Sequence, residues 1–392
     1  MTALLVQAAA AVIEPTEPLR EDVTLLVRDG RVVEVGGRHE VEMPPDADRL
    51  DLGELIAVPG LIDAHAHLAM DASDEPTTTV YDGDDLALAW LTARNAAQTL
   101  DRGVTTVRDL GCRGTVLSRL RDAIAAGEAT GPRLIVSDAP ITVTGGHAWQ
   151  MGEACDDAVS LLRAVRRRAR DGADVVKVML TGGFISPQAE APHRPVFDAA
   201  TLGAAVREAH ELGLRVTTHA HGVEGIRVAI EAGVDTIEHA TMTTRSGVAF
   251  DAALASAIAE AEIVVVPTLN ARWLKDDLPW ASLDEAIRVL RGLHDAGVRI
   301  AIGTDGGIDH VPHGELVPAM RTLTAAGLSD TDVYTATTEH SARACGRTGQ
   351  IGRLGPGACA DLIAVAGDPR DDLDVLGAPQ AIVADGRVLR RP

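Results

Sequence analysis

A chain of 392 residues, 46% hydrophobic and 24% charged, is long enough for one large α/β fold plus a small accessory domain, and its balance excludes long disordered tracts. Its 57 acidic against 36 basic residues give a formal charge of −21, which argues against nucleic acid or an anionic membrane as a partner, because attraction to phosphate needs surplus Lys and Arg. Aromatic residues make up only 2%, so Ala, Val, Leu and Ile must fill the core.

The first elements are β-like. The apolar run from Ala3 to Ile13 has no basic region before it and no small-residue cleavage site, so it does not read as a signal peptide. TLLVRDGRVVEVG from Thr24 carries an Asp29-Gly30 hairpin signal. GLIDAHAHL from Gly60 follows as the first strand of a different series. Leu86, Trp90, Ala93, Ala97 and Leu100 then recur at spacings of four and three and predict one buried helix stripe.

From here one local grammar repeats. A helix-like stretch ends on a glycine suited to the left-handed position, and a Val, Ile and Thr-rich strand follows, ending in a polar or ionisable side chain. Gly103 precedes VTTVRDL, Gly172 precedes DVVKVML, Gly213 precedes RVTTHA, Gly233 precedes DTIEHA and Gly297 precedes RIAIGTD. PRLIVSD from Pro132 and EIVVVPT from Glu262 complete eight strands, and Leu202, Ala205, Val206, Ala209 and Leu212 predict the apolar face of one intervening helix. Apolar strands alternating with helices predict parallel pairing under helical cover, closed as a (β/α)8 TIM barrel over residues 59–353. At the C-terminus CADLIAVAG and AIVADGRVLR, with a second hairpin signal at Asp385-Gly386, predict that residues 354–392 join residues 1–58 in a small β-sandwich domain.

In a barrel of this kind the active site lies at the C-terminal ends of the strands. His65 and His67 sit two apart at the end of the first strand, where alternation points both rings the same way. Lys177 falls five residues after Gly172, His219 six after Gly213, His239 six after Gly233 and Asp305 eight after Gly297. Six potential ligands therefore converge on one rim, and imidazole with carboxylate is a donor set that Zn, Fe or Mn accepts. A lone strand-end histidine is more often a hydrogen-bonded core residue, but an ordered set at strands one, four, five, six and eight is not. The flanking Val175, Val176, Val178 and Met179 would desolvate the Lys177 ammonium and lower its pKa.

With PGLIDAHAH, the lysine of VVKVMLTGG, THAHG, IEHA and GTDGG in place, the chain resembles the amidohydrolase superfamily over nearly its whole length. TGGH from Thr144, KVMLTGGFISP from Lys177 and HAHGVEGIRVAIEAGVDTIEHA from His219 are similar to the branch of imidazolonepropionase-like proteins and Xaa-Pro or arginine carboxypeptidases. The resemblance implies that Lys177 is carboxylated by CO2 and bridges two divalent metal ions, Zn being the expected one. It assigns His65, His67 and Asp305 to the more buried ion and His219 and His239 to the more exposed one. Two such cations acidify water and polarise a carbonyl, so no protein nucleophile is needed. Asp305 is expected to move the proton to the leaving nitrogen, and His147, in the TGGHAW loop, to hydrogen-bond the developing oxyanion.

Where carboxypeptidase-like relatives often carry a tyrosine, two residues after the strand-five ligand, this chain has His221. His221, Arg113, Ser186, Arg194 and His313 lie in strand-end or loop positions from which they can contact substrate. The expected reaction is hydrolysis of a C–N amide bond in a peptide, an N-acyl amino acid or a cyclic amide, including removal of a C-terminal residue or maturation of a peptide natural product. The alternatives are a mononuclear ring hydrolase or deaminase, a lactonase or esterase using the same metal pair, and a non-catalytic metal-binding scaffold. Lys177 argues against the first of these and the complete ligand set against the last. Cys112, Cys155, Cys345 and Cys359 show neither disulfide nor metal-ligand spacing, which predicts a reduced, cytoplasmic protein. No apolar run is long enough for a membrane helix. Such relatives often form homo-oligomers, and this chain carries no oligomerisation motif of its own.

Overall fold

The computed structural model describes residues 3–42, 44–184, 191–273 and 281–392. The two chain ends meet in one hydrogen-bonded sheet of eight strands. Ala3–Ala11 pairs antiparallel with Arg20–Arg28, which turns through Asp29 and Gly30, both at positive φ, into Arg31–Gly37. The hairpin Ala381–Ala384 to Arg387–Arg390 repeats the device at Asp385 and Gly386. Both turns are type I′-like, as the Asp-Gly pairs predict. One sheet path carries the expected small β domain, because Ile56–Pro59 pairs on one side with Ala10 and Ala11 and on the other, antiparallel, with Leu362–Val365. Leu4, Val6, Val23, Leu25, Leu362 and Val383 pack its own core.

Apart from Gly247–Val248, which pairs antiparallel with the end of Thr236–Thr244, the remaining strands are parallel and alternate with helices, a TIM-barrel-like arrangement. Leu61–Ala66, Val104–Asp109 and Arg133–Val136 form one ladder, and Val175–Met179, Arg215–Gly222, Thr236–Thr244 and Val264–Val266 form another. The ladders approach where Asp174 N–H donates to Val136 O at 2.8 Å. On the other side residues 300–306 run between the last strand and the first: Ala301 N–H donates to Val265 O, Ala64 N–H to Ile302 O and His67 N–H to Gly306 O. The expected eighth strand is therefore present as a bonded connection rather than a continuous strand. Gly103, Gly172, Gly213, Gly233 and Gly297 all stand at φ between 78° and 86°, the left-handed conformation that ends each preceding helix.

The helix Asp85–Asp101 does not bury the predicted stripe. Leu86 and Trp90 are 65% and 70% exposed, and the inward face is Leu88, Leu91, Thr92, Asn95, Ala96, Thr99 and Leu100. A polar contact decides the rotation, since the buried Asn95 amide donates to Leu68 O at 2.9 Å and Met70 O at 2.8 Å, in the turn that follows His67. In Ala199–Glu211 the predicted face is the buried one, apart from the terminal Leu212, which is exposed. The four cysteines are buried and unbridged, and no described helix is long and apolar enough to cross a membrane.

Candidate metal centre

Parallel register brings the ionisable strand ends together. Met179 lies opposite His219, and Ala220 opposite His239, so the fourth, fifth and sixth parallel strands present Lys177, His219 and His239 at successive positions around one mouth. His65 and His67 arrive from the first strand and Asp305 from the 300–306 segment. All six, with His147 and His221, line one cavity. Asp305 Oδ1 lies 3.2 Å from His67 Nε2 and 3.5 Å from His65 Nε2. The His219 ring centroid is 4.3 Å from that of His239, and His221 stacks on His239 at 4.4 Å with an 18° interplanar angle.

Most of these imidazoles spend one nitrogen on the protein. His65 Nδ1 lies 2.7 Å from Glu238 Oε2, His239 Nδ1 2.8 Å from Thr268 Oγ1, His221 Nδ1 3.1 Å from Thr241 Oγ1 and His219 Nε2 3.1 Å from Gly182 O. The other nitrogen of each ring is left for the cavity, the pattern of a ligand oriented from behind. Small residues admit the crowding: a Cβ on Gly303 would stand 2.7 Å from His65 Cβ, and one on Gly183 would stand 2.3 Å from His147 Cε1. His239, Thr268 and Asp305 are held at φ of 70°, 53° and 58°, backbone strain that collects at the site itself.

The electrostatics favour neutral nitrogen donors beside an ionised carboxylate. Burial, helped by the Lys177 charge, pushes His65 and His147 down to about 4, and burial with His147 pushes His221 down to about 3. Burial and neighbouring imidazoles hold His219 and His239 well below the ordinary range. Burial opposes a charge on His67 as well, but the bond to Asp305 outweighs it and its pKa rises. Asp305 moves down, because His65, His67 and Lys177 more than offset its burial. Burial brings Lys177 down to about 8, so a useful fraction of its amine is neutral near physiological pH. Its Nζ is buried and has no hydrogen-bond partner among the described residues. A buried amine aimed at a nest of imidazoles, with nothing to receive its protons, fits a metal-bridging ligand and does not fit a structural ion pair.

Several residues that hold this centre were not singled out from the sequence. Glu238, fully buried beside His239, accepts from Arg108 Nη2 at 2.8 Å and from the hydroxyls of Thr217 and Thr236 on the carboxylate oxygen that does not meet His65. Asp63 accepts from His65 N–H and Thr304 N–H, both at 3.1 Å, and so ties the first strand to the segment that carries Asp305. The signals were present, a glutamate inside IEHA and an arginine inside VTTVRDL, but both also read as ordinary strand residues.

The proposed substrate contacts divide. His221 lines the cavity. Arg113 instead donates to Tyr81 O and Gly83 O and pairs with Asp85, Arg194 is exposed, and His313 Nε2 bonds Met70 O at 2.9 Å; none of the three lines the central cavity. Ser186 lies outside the described residues.

Comparison with known proteins places this geometry. The model of the amidohydrolase family matches residues 56–389. The chain is 27% identical to ochratoxinase of Aspergillus niger, over 93% of this chain and 82% of that protein. It is 28% identical to imidazolonepropionase of Ralstonia nicotianae, over 87% and 85%. A solved Xaa-Pro dipeptidase with methionine bound in its active site superposes with a TM-score of 0.85 at 26% identity, over 99% of this chain and 100% of that one.

Proposed function

This chain belongs to the amidohydrolase family, whose members hydrolyse carbon–nitrogen bonds, and from that premise we propose a binuclear metal-dependent hydrolase acting on the amide bond of a peptide, an N-acyl amino acid or a cyclic amide. We read the two parallel ladders and residues 300–306 as one closed eight-stranded barrel, residues 59–353, carried beside a chain-end β domain of residues 1–58 and 354–392. The observation that carries the reading is Lys177. Its buried amine, without a hydrogen-bond partner among the described residues, shares one cavity with His65, His67, Asp305, His219 and His239, and its charge opposes protonation of these imidazoles, an effect that Asp305 outweighs at His67. These six residues would hold two divalent ions, Zn being the first candidate, with Lys177 carboxylated as the bridge.

When bound, such ions supply an acidified water and a Lewis acid for the scissile carbonyl. The chain supplies the proton path and the orientation. Asp305, held ionised, accepts a proton from the attacking water and returns it to the leaving nitrogen. The water oxygen bonds to the carbonyl carbon, the C–N bond breaks, and the products are a carboxylate and an ammonium. His147 stands 4.4 Å from His219, centroid to centroid, and its proposed part is to hydrogen-bond the oxygen that gains charge. Buried, unbridged cysteines suit a reducing, cytoplasmic setting.

The test is elemental analysis of wild type and Lys177→Ala alongside amine release from dipeptides and N-acyl amino acids. The expected result is about two metal ions per chain, falling in the variant together with amine release. One ion per chain, unchanged in the variant, would overturn the binuclear reading in favour of a mononuclear ring hydrolase.

A further inference from the structure

The segment after the seventh parallel strand is pinned to the centre at alternate residues. Thr268 Oγ1 lies 2.8 Å from His239 Nδ1, and Asn270 donates through Nδ2 to Thr304 O at 3.0 Å. Asn270 Oδ1 then accepts the Arg272 N–H at 3.1 Å. What this anchoring delivers to the cavity wall is Arg272 and Trp273. Among the described residues lining that cavity, Arg272 is the one arginine, and its charge stays positive whatever becomes of Lys177. Its Nη1 is fixed by Asp309 Oδ1 at 2.9 Å, with the guanidinium 27% and the carboxylate 35% exposed. A half-exposed pair of this kind adds little stability. It does hold the planar fork in one orientation while leaving further N–H donors without a partner among the described residues.

The wall beyond is apolar. Trp273, His239 and Thr241 are shared with an adjoining pocket whose floor is Leu269, Val289 and Leu290. A fixed guanidinium and an apolar recess therefore flank the same reacting centre, on a molecule whose overall charge of −21 repels anions. A cation held at such a place is what a site needs in order to accept an anion the rest of the surface turns away.

We propose that Arg272 is the receptor for a substrate carboxylate, so that the preferred amides carry a free carboxylate and an apolar side chain beside the scissile bond. This rests on the hydrolase reading above and narrows it to N-acyl or N-aminoacyl derivatives of apolar amino acids. Arg272 sets specificity, and the chemical step remains with Asp305 and the centre.

Binding is measured apart from turnover. The full-length protein, stripped of metal by chelator so that neither compound is turned over, is titrated by calorimetry with N-acetyl-L-leucine and with N-acetyl-3-methylbutylamine, the same molecule without its carboxylate. Amine release from both by the metal-loaded protein, and its metal content, are followed in parallel. Wild type is expected to prefer the carboxylate compound, and Arg272→Met to weaken its binding roughly 10- to 100-fold, with metal content and binding of the neutral analogue unchanged. Arg272→Lys, which keeps the charge and loses the fork, should fall between, and it serves where the methionine variant folds poorly. Equal binding of the two compounds by wild type, or equal loss of both in the variants, would overturn the proposal. An Arg272-dependent preference in binding with no amine released would uphold the carboxylate receptor and refute the hydrolase reading.

Discussion

At the scale of single residues, the proposed metal centre is supported by Glu238 as much as by the residues proposed to ligate it. Its carboxylate accepts from Arg108 on one oxygen and meets His65 Nδ1 on the other, which places the His65 proton on Nδ1 and leaves Nε2 free to face the cavity. Glu238→Ala strands the buried Arg108 charge and is expected to lower stability by about 3–5 kcal/mol. Glu238→Gln keeps the shape, but its amide can donate to Nδ1 and drive the proton to Nε2. The glutamine variant should therefore unfold at a temperature closer to wild type while metal affinity falls roughly 10- to 100-fold. Chelator competition and thermal unfolding separate the two effects. Metal affinity in Glu238→Gln equal to that of wild type would remove Glu238 from the centre.

At the scale of elements, a polar contact overrides hydrophobic periodicity in the helix Asp85–Asp101. Apolar spacing favours an inward Leu86 and Trp90, yet the helix is turned so that the Asn95 amide can donate to the two carbonyls of the turn after His67. Leaving buried carbonyls unbonded costs more than exposing two large side chains at a surface already rich in apolar atoms. Asn95→Leu is accordingly expected to lower unfolding stability by about 2 kcal/mol. Trp90→Ser should stay within about 0.5 kcal/mol of wild type. Urea denaturation checks both, and a Trp90 variant weaker than the Asn95 variant would reverse the argument.

At the scale of the molecule, the charge of −21 acts on whatever approaches the centre. If Arg272 receives a substrate carboxylate as proposed, an anionic substrate is repelled at long range and captured at short range, and salt screens the first effect more than the second. Raising ionic strength from about 0.01 M to about 0.5 M, which shortens the screening length from about 30 Å to a few Å, should raise kcat/KM for N-acetyl-L-leucine. It should leave that for the neutral analogue nearly flat. A parallel decline of both with salt would show that the global field has no part in substrate capture.

The sequence by itself determined the strand-end grammar and the ionisable residues that share one mouth. These follow from local rules: a left-handed glycine closes each helix, a short apolar strand follows, and the side-chain period sets which residue reaches the rim. The Asp-Gly hairpins at the chain ends were legible for the same reason. Only the tertiary structure decided which side chains stand behind these ionisable residues. Arg108 meets Glu238 across 130 positions of sequence and Thr304 meets Asp63 across 241, and no local pattern records such pairs. The helix rotation around Asn95, the joining of both chain ends through Ile56–Pro59 into one sheet, and the arrival of Arg272 at the cavity belong to the same class. Each is settled by where buried polar groups find partners, and those partners are brought close by folding rather than by neighbourhood in the chain.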